Sequence, residues 1–266
     1  MSFFDHLEAL RWHLVRSAVA IVIFTSLAFY FYDFLFDTVI MGPSKPNFWT
    51  YRMLCKLGDL LHRDGFCITK INISLLNTEM AGQFTLMINS ALLVGITAGF
   101  PYLLWEIWRF IKPALHEKER KAARGFVLYA TGLFLLGVMF GYYVITPESI
   151  NFLSSFTVSS QIENKFSVDS YLSSVATLTL ATGVVFELPI IVYVLSSLGI
   201  LTQKFMRETR RYAVVVILII AAVVTPTPDM MTMLVVSVPL FILYEVGILV
   251  AGVVEKRRLA RENAAV

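Results

Sequence analysis

Long apolar segments alternate with polar connections along the whole chain. A helix that crosses a bilayer needs about 20 consecutive apolar residues. Six segments are candidates, and they predict an all-α integral membrane protein with six transmembrane helices in a single membrane domain. These segments cover residues 17–36, 84–104, 125–145, 171–198, 212–224 and 230–254.

The fifth segment, residues 212–224, is shorter than the others. At about 1.5 Å per residue it extends roughly 20 Å, which is less than the roughly 30 Å of a hydrocarbon core. We therefore expect this segment to recruit flanking residues or to lie where the bilayer is thinned.

The composition argues against an ordinary soluble fold. Hydrophobic residues make up 57% of the 266 residues and charged residues only 15%, whereas soluble domains are about 25% charged. A bilayer accommodates this apolar excess and an aqueous core does not. The lipid bilayer is therefore an expected partner, and we expect no nucleic-acid partner.

Lysine and arginine are distributed unevenly between the two sides of the predicted spans. Of 22 such residues, 16 fall on the side of both termini and 6 on the opposite side. Because cytoplasmic connections carry an excess of these residues, we expect both termini in the cytoplasm. The N-terminal region, residues 1–16, is then a cytoplasmic amphipathic helix, and residues 37–83 form an external loop.

Two spans carry a single glutamate close to mid-membrane depth: Glu187 in the fourth and Glu245 in the sixth. A carboxylate is costly in hydrocarbon, so each predicts a functional or structural site that faces the interior of the bundle. For Glu187 the alternative is a protonated carboxyl group hydrogen-bonded to a neighbour such as Thr182, because burial favours the neutral acid.

Glycines and prolines mark expected irregularities within the spans. Gly95 and Gly99 are four residues apart, a spacing that lets another helix of the bundle approach closely. Pro101 and Pro189 each remove one backbone donor and predict a kink.

Catalytic and metal-binding motifs are absent from the sequence: it contains no HExxH, GxSxG or P-loop pattern and no cysteine–histidine cluster. We therefore expect neither an enzyme nor a cofactor or metal site. Three functions remain open from the residues alone: a secondary transporter of a small solute with intramembrane carboxylates, a receptor that docks a polypeptide, and a structural scaffold.

A receptor for a cationic ligand needs acidic residues where the ligand arrives, and the cytoplasmic side offers several. A solvated face that balances nearby cations explains these residues equally well. They are Asp5, Glu8, Glu106, Glu117 and Glu119.

Both cysteines, Cys55 and Cys67, lie in the external loop. Disulfides persist in oxidising compartments outside the cytoplasm, so we hypothesise that the two cysteines pair. The alternative is two unpaired thiols, because the sequence does not fix the Cα separation that a disulfide requires.

Five motifs occur in order along the chain: DHLEALRWHLVR, PYLLWEIWRFIKPALHEKERK, FELPI, TPTPDMMT and VPLFILYEVGI. They resemble the TatC family, the multispanning subunit of the bacterial twin-arginine protein translocase, over essentially the whole chain. The resemblance implies a concave, glove-like bundle in the bacterial cytoplasmic (inner) membrane. It also implies a receptor for signal peptides with consecutive arginines. Such a receptor works with small single-span subunits of the TatA/TatB type to export folded proteins, driven by the proton-motive force.

The resemblance assigns arginine binding to acidic residues of the cytoplasmic face. Glu119 matches the family's acceptor, and a carboxylate there can accept a bidentate, charge-assisted hydrogen bond from a guanidinium. The N-terminal family motif usually has two glutamates, and here the second is Ala9, which leaves Glu8 as a further candidate. Arg11 either pairs with a carboxylate and sets the helix position or is a positive-inside charge. Phe110 matches the cytoplasmic exit of the second span.

Other matching positions lie in the spans or on the external side. The resemblance implies that Glu187 contacts a partner subunit or thins the bilayer. It implies that Glu245 is a polar contact near the fifth span, with a structural role equally compatible. Pro43 and Asp229 match external segments and Pro101 matches the second span, all three with structural roles.

Overall fold

The computed structural model describes residues 3–61, 73–112, 125–159, 161, 164–225 and 230–263. Most of these residues are helical. Within the described residues, five helical stretches are long and apolar enough to cross a membrane, where the sequence predicts six. They are Glu8–Tyr30, Gly82–Ile111, Phe126–Ser155, Val168–Ser197 and Thr232–Ala260.

The α-helices are numbered in chain order through the described residues. Two π-helical turns, Leu35–Ile40 and Gly141–Ile145, and a 3-10 turn, Gly42–Ser44, lie between them. The helices are α1 Phe3–Tyr30, α2 Tyr32–Phe34, α3 Trp49–Leu61, α4 Gly82–Ile111, α5 Phe126–Phe140, α6 Thr146–Ser155, α7 Val168–Val185, α8 Leu188–Ser197, α9 Gln203–Glu208, α10 Arg210–Val224 and α11 Met230–Asn263.

Helix α1 is continuous through the N-terminal region and the first apolar segment. Its 28 residues contain neither glycine nor proline, so nothing in the local sequence interrupts the backbone hydrogen bonds. At about 1.5 Å per residue, α1 is about 42 Å long. The amphipathic sequence before residue 16 and the apolar sequence after it therefore belong to one continuous helix.

The fourth apolar segment is divided into two helices, α7 and α8, at Glu187. Pro189 is the second residue of α8 and has no N–H to continue the hydrogen bonding of α7. The carbonyl of Glu187 instead accepts from the N–H groups of Ile190 at 2.9 Å and Ile191 at 3.0 Å, which start α8. The break therefore places an acidic residue at the helix junction.

Helix α8 ends at Gly199, which has φ +74°. The Gly199 N–H donates to the Ser196 carbonyl at 3.1 Å, and the Ile200 N–H donates to the Leu195 carbonyl at 3.0 Å. These two hydrogen bonds form a Schellman motif, in which glycine is favoured because the left-handed conformation strains other residues.

Helix α10 corresponds to the short fifth segment. It has 15 residues, so it is about 22 Å long, and it is not among the candidate spans found in the described residues. Its N-terminal end includes Arg210 and Arg211, so its apolar portion is shorter still.

A small parallel β-ladder joins the segment before α4 to the segment before α7. Strand β1, Ser74–Leu76, pairs with β2, Lys165–Ser167, with Ser74 opposite Lys165. The predicted helical class holds for most of the described residues, and this ladder of two three-residue strands is an addition to it. Parallel strands pair across long sequence separations, so the local pattern of either segment does not reveal its partner.

The core consists of helix pairs. Helix α1 packs against α4, α5 against α7, and both α8 and α10 against α11. Exposed apolar side chains such as Val22 (63%) and Ile23 (62%) cover the outer surface of α1, which suits contact with lipid. The largest buried cluster comprises Ile145, Leu178, Phe186, Ile217, Ala221, Val236, Leu240 and Leu243.

Candidate functional site

Helices α1 and α4 approach closely at two glycines of α4. A side-chain carbon at Gly95 would lie 2.7 Å from the backbone N and Cα of Thr25, and one at Gly99 would lie 3.1 Å from the Ile21 side chain. The close approach predicted from these glycines is confirmed. The two helices run in opposite directions, so the C-terminal end of α4 lies beside the N-terminal part of α1.

A buried carboxylate joins the two helices at that end. The side chain of Glu106 on α4 is fully buried. Its Oε2 accepts a hydrogen bond from His13 Nδ1, and its Oε1 accepts one from the Tyr102 hydroxyl at 3.1 Å. Arg16 Nε lies 3.4 Å from Oε2, and Arg109 Nη1 lies 3.3 Å from Oε1. We call these five residues the Glu106 cluster.

The roles of His13 and Arg16 in this cluster differ. An ionised carboxylate only accepts hydrogen bonds, so His13 Nδ1 carries the proton in its bond to Glu106. Arg16 Nη2 lies 3.2 Å from the same nitrogen, but a protonated nitrogen cannot accept from a guanidinium. Arg16 therefore acts on the carboxylate and not on the imidazole. The ring of Phe110 meets the His13 ring edge-on, with 6.0 Å between centroids.

These contacts commit Glu106 to the interior of the protein. An ionised carboxylate costs several kcal/mol to bury unless opposite charges and donors compensate it, and here two guanidinium groups, an imidazole and a phenol do so. Among the acidic residues considered as acceptors for a cationic ligand, Glu106 is thus already paired. The spacing of Tyr102, Glu106 and Arg109, four and three residues apart, places them on one helix face and was the available sequence signal.

Three of the four residues predicted to bind the signal peptide lie on α1 or α4, the two helices that the Glu106 cluster joins. Glu8 and Arg11 are exposed on α1, and Phe110 is partly buried near the end of α4. Pro101 lies inside α4. Glu119 lies outside the described residues, so its predicted role is not tested by the structure.

Glu187 is buried at the junction between α7 and α8. Its side chain is 6% exposed, and within the described residues neither carboxylate oxygen has a hydrogen-bond partner. The hydroxyl of Thr182 donates to the Leu178 carbonyl at 2.6 Å and does not serve Glu187. A buried carboxyl group without a partner is rare and requires an explanation.

Glu245 is paired within the chain. Its Oε2 accepts a hydrogen bond from Arg210 Nη2 at 2.7 Å, an ion pair that links α11 to the first residue of α10. The sequence suggested Arg210 only as a positive-inside charge. The pairing gives Glu245 a direct structural contact, although its Oε1 has no hydrogen-bond partner among the described residues.

Pro43 is held at the end of the bundle opposite the Glu106 cluster. The hydroxyl of Tyr51, on α3, donates to the carbonyls of Pro43 at 3.0 Å and Pro147 at 3.2 Å. The hydroxyl of Tyr171 donates to the Ile40 carbonyl at 2.7 Å. These tyrosines attach the connection between α2 and α4 to the ends of the spans, a role that the sequence did not indicate.

Two other predicted residues, Cys67 and Asp229, lie outside the described residues, while Cys55 lies on α3. The pairing of Cys55 with Cys67 stays a prediction. No group of three or more His, Cys, Asp or Glu side chains that could hold a metal ion occurs in the part of the chain that the structure describes.

Comparison with known sequences identifies a family. The sequence model described as "Sec-independent protein translocase protein (TatC)" matches residues 5–239. The chain is 36% identical over 260 residues to a Sec-independent protein translocase protein TatC from a Blattabacterium species, with 97% of each chain covered. It is 35% identical over 250 residues to the protein of that name from Deinococcus radiodurans, with coverage of 94% and 85%.

Two crystal structures of a twin-arginine translocase receptor, TatC, resemble this fold. One aligns with a TM-score of 0.70 at 29% identity and covers 94% of this chain and 99% of the other. The second, in the detergent DDM, aligns with a TM-score of 0.72 at 29% identity, with coverage of 92% and 99%. Sequence and fold agree over nearly the full length, and the chain belongs to the TatC family of Sec-independent protein translocase proteins.

Proposed function

We propose that this chain is the signal-peptide receptor and core subunit of a twin-arginine translocase that exports folded proteins across the bacterial cytoplasmic membrane. Family membership favours a translocase over a transporter of small solutes, because the family match spans residues 5–239. The structural observation that carries the proposal is the Glu106 cluster. It holds the part of α1 that contains Glu8 and Arg11 beside the end of α4, eight residues before Glu119 in the sequence.

The ligand is a pair of adjacent arginines. We assign Glu119 as the main acceptor, since a carboxylate and a guanidinium form a bidentate, charge-assisted pair. Glu8 is exposed on α1, and we assign it as the second acceptor because position 9, where the family usually has a glutamate, is alanine. Arg11 and Phe110 complete the contact surface. Lysine in the peptide would keep the charge but lose the planar fork.

Glu106 has a positioning role in this receptor. Its two oxygens already have four partners, so a peptide arginine would have to displace Arg16 or Arg109. The cluster instead fixes the N-terminal part of α1 against the C-terminal end of α4. Glu8 and Arg11 lie five and two residues before His13 in the same helix, so their positions follow from how His13 is held.

We propose that the chain crosses the membrane six times, with both termini in the cytoplasm. The five candidate spans together with α10 make up the six helices, and the excess of lysine and arginine on the side of the termini supports this orientation. Because α10 is only about 22 Å long, the bilayer is thinned around it. The resulting bundle is concave and glove-like, as the family resemblance implies.

The partners are small single-span subunits of the TatA/TatB type. Glu187 is buried and lacks an internal partner among the described residues, so we propose that it contacts a polar group of a partner helix or draws water and headgroups inwards. Glu245 has a structural role through its ion pair with Arg210. Transport is driven by the proton-motive force, and the chain acts as a transport protein without a cofactor.

We also propose that Cys55 and Cys67 form a disulfide in the external loop, where the oxidising environment preserves such bonds. Mass-spectrometric counting of thiols under non-reducing conditions tests this pairing. Two alkylatable thiols in the folded protein would disprove it.

Peptide binding to the purified full chain tests the receptor function. We expect a fluorescent peptide with two arginines to bind the native chain and to bind Glu119→Ala roughly tenfold or more weakly, because a charge-assisted hydrogen bond is lost. Replacing both peptide arginines with lysines should also weaken binding. Glu208→Ala removes an exposed carboxylate of α9 and should leave binding unchanged. Equal affinity of the native chain for the arginine and lysine peptides would contradict the proposal.

A further inference from the structure

Helix α11 carries an exposed apolar stripe along its middle part. At 100° per residue, five of its residues fall within an arc of about 80°. Each is between 40% and 63% exposed. In a membrane-spanning helix such a stripe contacts acyl chains. The five residues are Val238, Ile242, Val246, Leu249 and Val253.

The stripe ends at a basic groove. Lys256 lies on the same helix face as Val253 and follows it by one turn. Together with Lys204 and Arg207 of α9, it lines an open groove of about 810 Å³ between α9 and α11. The apolar stripe and the three cations are thus continuous on one surface.

Helix α9 is fixed in position against α11. Met206 is 4% exposed and packs against Ile248 and Ala251. The side chain of Gln203 lies directly over Gly252, where a side-chain carbon would come within 2.7 Å of Gln203 Oε1. Packed side chains of α9 and α11 therefore form the floor of the groove.

The groove also contains two carboxylates, and both have partners. Glu255 Oε2 accepts a hydrogen bond from the Gln203 N–H at 2.8 Å. Glu208 Oε1 lies 3.9 Å from Lys204 Nζ. Neither Arg207 nor Lys256 forms an ion pair with any residue that the structure describes. Two cations at the end of an apolar stripe are therefore available to an anion.

We propose that this groove binds the phosphate headgroup of an anionic phospholipid, whose acyl chains lie along the stripe of α11. Basic pockets at the ends of membrane helices attract such headgroups. Arg207 and Lys256 supply charge-assisted hydrogen bonds to phosphate oxygens. An acidic peptide or a free phosphate would use the cations but not the adjoining apolar stripe, so the combination favours a lipid. This site is separate from the Glu106 cluster and does not depend on signal-peptide binding.

Lipid titration of the purified full chain in detergent micelles tests the site. We expect phosphatidylglycerol to raise the unfolding temperature at lower concentrations than phosphatidylcholine does. Arg207→Gln combined with Lys256→Gln should weaken the apparent affinity for phosphatidylglycerol roughly tenfold or more, because each cation near an anionic surface contributes separately. The control, Arg211→Gln combined with Lys112→Gln, removes the same charge at positions that line neither the groove nor the stripe and should leave the affinity unchanged.

Soluble glycerol phosphate distinguishes a lipid from a free anion. It carries the same phosphate chemistry without acyl chains, and we expect no shift at the concentrations where phosphatidylglycerol acts. Leu249→Asn combined with Val253→Asn interrupts the stripe and should weaken phosphatidylglycerol binding as well. The proposal is overturned if the groove variant and the native chain respond equally to phosphatidylglycerol, if both lipids act equally, or if glycerol phosphate gives the same shift.

Discussion

The imidazole of His13 donates to the buried carboxylate of Glu106 across 93 positions of sequence. Together with the contact between Arg16 and the same carboxylate, it joins α1 to the C-terminal end of α4. The guanidinium groups of Arg16 and Arg109 compensate the charge from both sides. The consequence is a polar anchor at a helix interface that is otherwise packed through glycines.

Replacing the Glu106 carboxylate should destabilise the folded protein. Glu106→Ala leaves His13, Arg16 and Arg109 without their shared acceptor, and breaking a buried ion pair by removing one partner costs about 3–5 kcal/mol. We expect a large decrease in the unfolding temperature in detergent micelles. Glu208→Ala, which removes an exposed carboxylate, should change it little.

A double-mutant cycle isolates the contribution of the His13–Glu106 contact. His13→Ala and Glu106→Gln should each destabilise the protein, and the double variant should be more stable than the sum of both effects predicts, by about 0.5–3 kcal/mol. Strictly additive effects would mean that the two side chains do not interact in the folded protein.

The ion pair between Arg210 and Glu245 is partly exposed, at 50% and 34%, but Glu245 lies in a candidate span, where lipid and not water covers it. We therefore expect Arg210→Ala to lower the unfolding temperature, because it leaves the Glu245 carboxylate without its partner. Exchanging the two charges, with Arg210→Glu and Glu245→Arg, should restore part of the loss. The comparison is Lys204→Ala, whose ion pair is 86% and 66% exposed and whose loss should be undetectable by thermal unfolding.

Gly95 and Gly132 should respond in opposite ways to the same substitution. Gly95→Ala places a carbon 2.7 Å from the backbone of Thr25, so α1 must move away, at a cost of about 1–3 kcal/mol. Gly132 on α5 has nothing within 4 Å of the added carbon, and Gly132→Ala should be neutral or stabilising through helix propensity. Equal unfolding temperatures of the two variants would contradict the close packing of α1 on α4.

Tyr51→Phe removes the donor that serves the carbonyls of Pro43 and Pro147. Leaving buried acceptors unsatisfied costs about 1–3 kcal/mol, so we expect the connection between α2 and α4 to unfold or exchange amide hydrogens more readily. Tyr30→Phe changes a side chain that is 82% exposed and should have little effect on unfolding.

The same residue predicts a dependence on alkaline pH. Burial, with a further contribution from the charge of Glu148, raises the pKa of Tyr51 in the folded state. An unfolded tyrosine ionises at about pH 10, so the stabilisation is fully present below that pH and is lost as the pH rises above it. Unfolding temperatures measured between about pH 8 and pH 11 should fall less steeply in Tyr51→Phe than in the native chain.

The long apolar segments allowed most spans to be predicted, because burial in lipid imposes a length and composition that are visible locally. The close approach of α1 and α4 was also predictable, since Gly95 and Gly99 are spaced for it. The division between α7 and α8 was suggested by Pro189, but its coincidence with Glu187 required the structure.

The polar contacts between helices were beyond local sequence reasoning. Glu106 was seen only as one of several acidic residues, and nothing near it indicated that His13 and Arg16 would be its partners. Arg210 and Glu245 are 35 positions apart and each had an independent interpretation. Such pairs depend on the packing of whole helices, which the pattern of a single segment does not encode.

The uninterrupted course of α1 allows movement at one end of the helix to reach the other end. Because no residue between Phe3 and Tyr30 breaks the helix, a rotation imposed at its N-terminal end is carried through a rod of about 42 Å. The Glu106 cluster holds α1 at His13, about one third of the way along the helix. A displacement of the exposed segment that carries Glu8 would therefore be transmitted along α1, past His13, to the end of the helix at Tyr30.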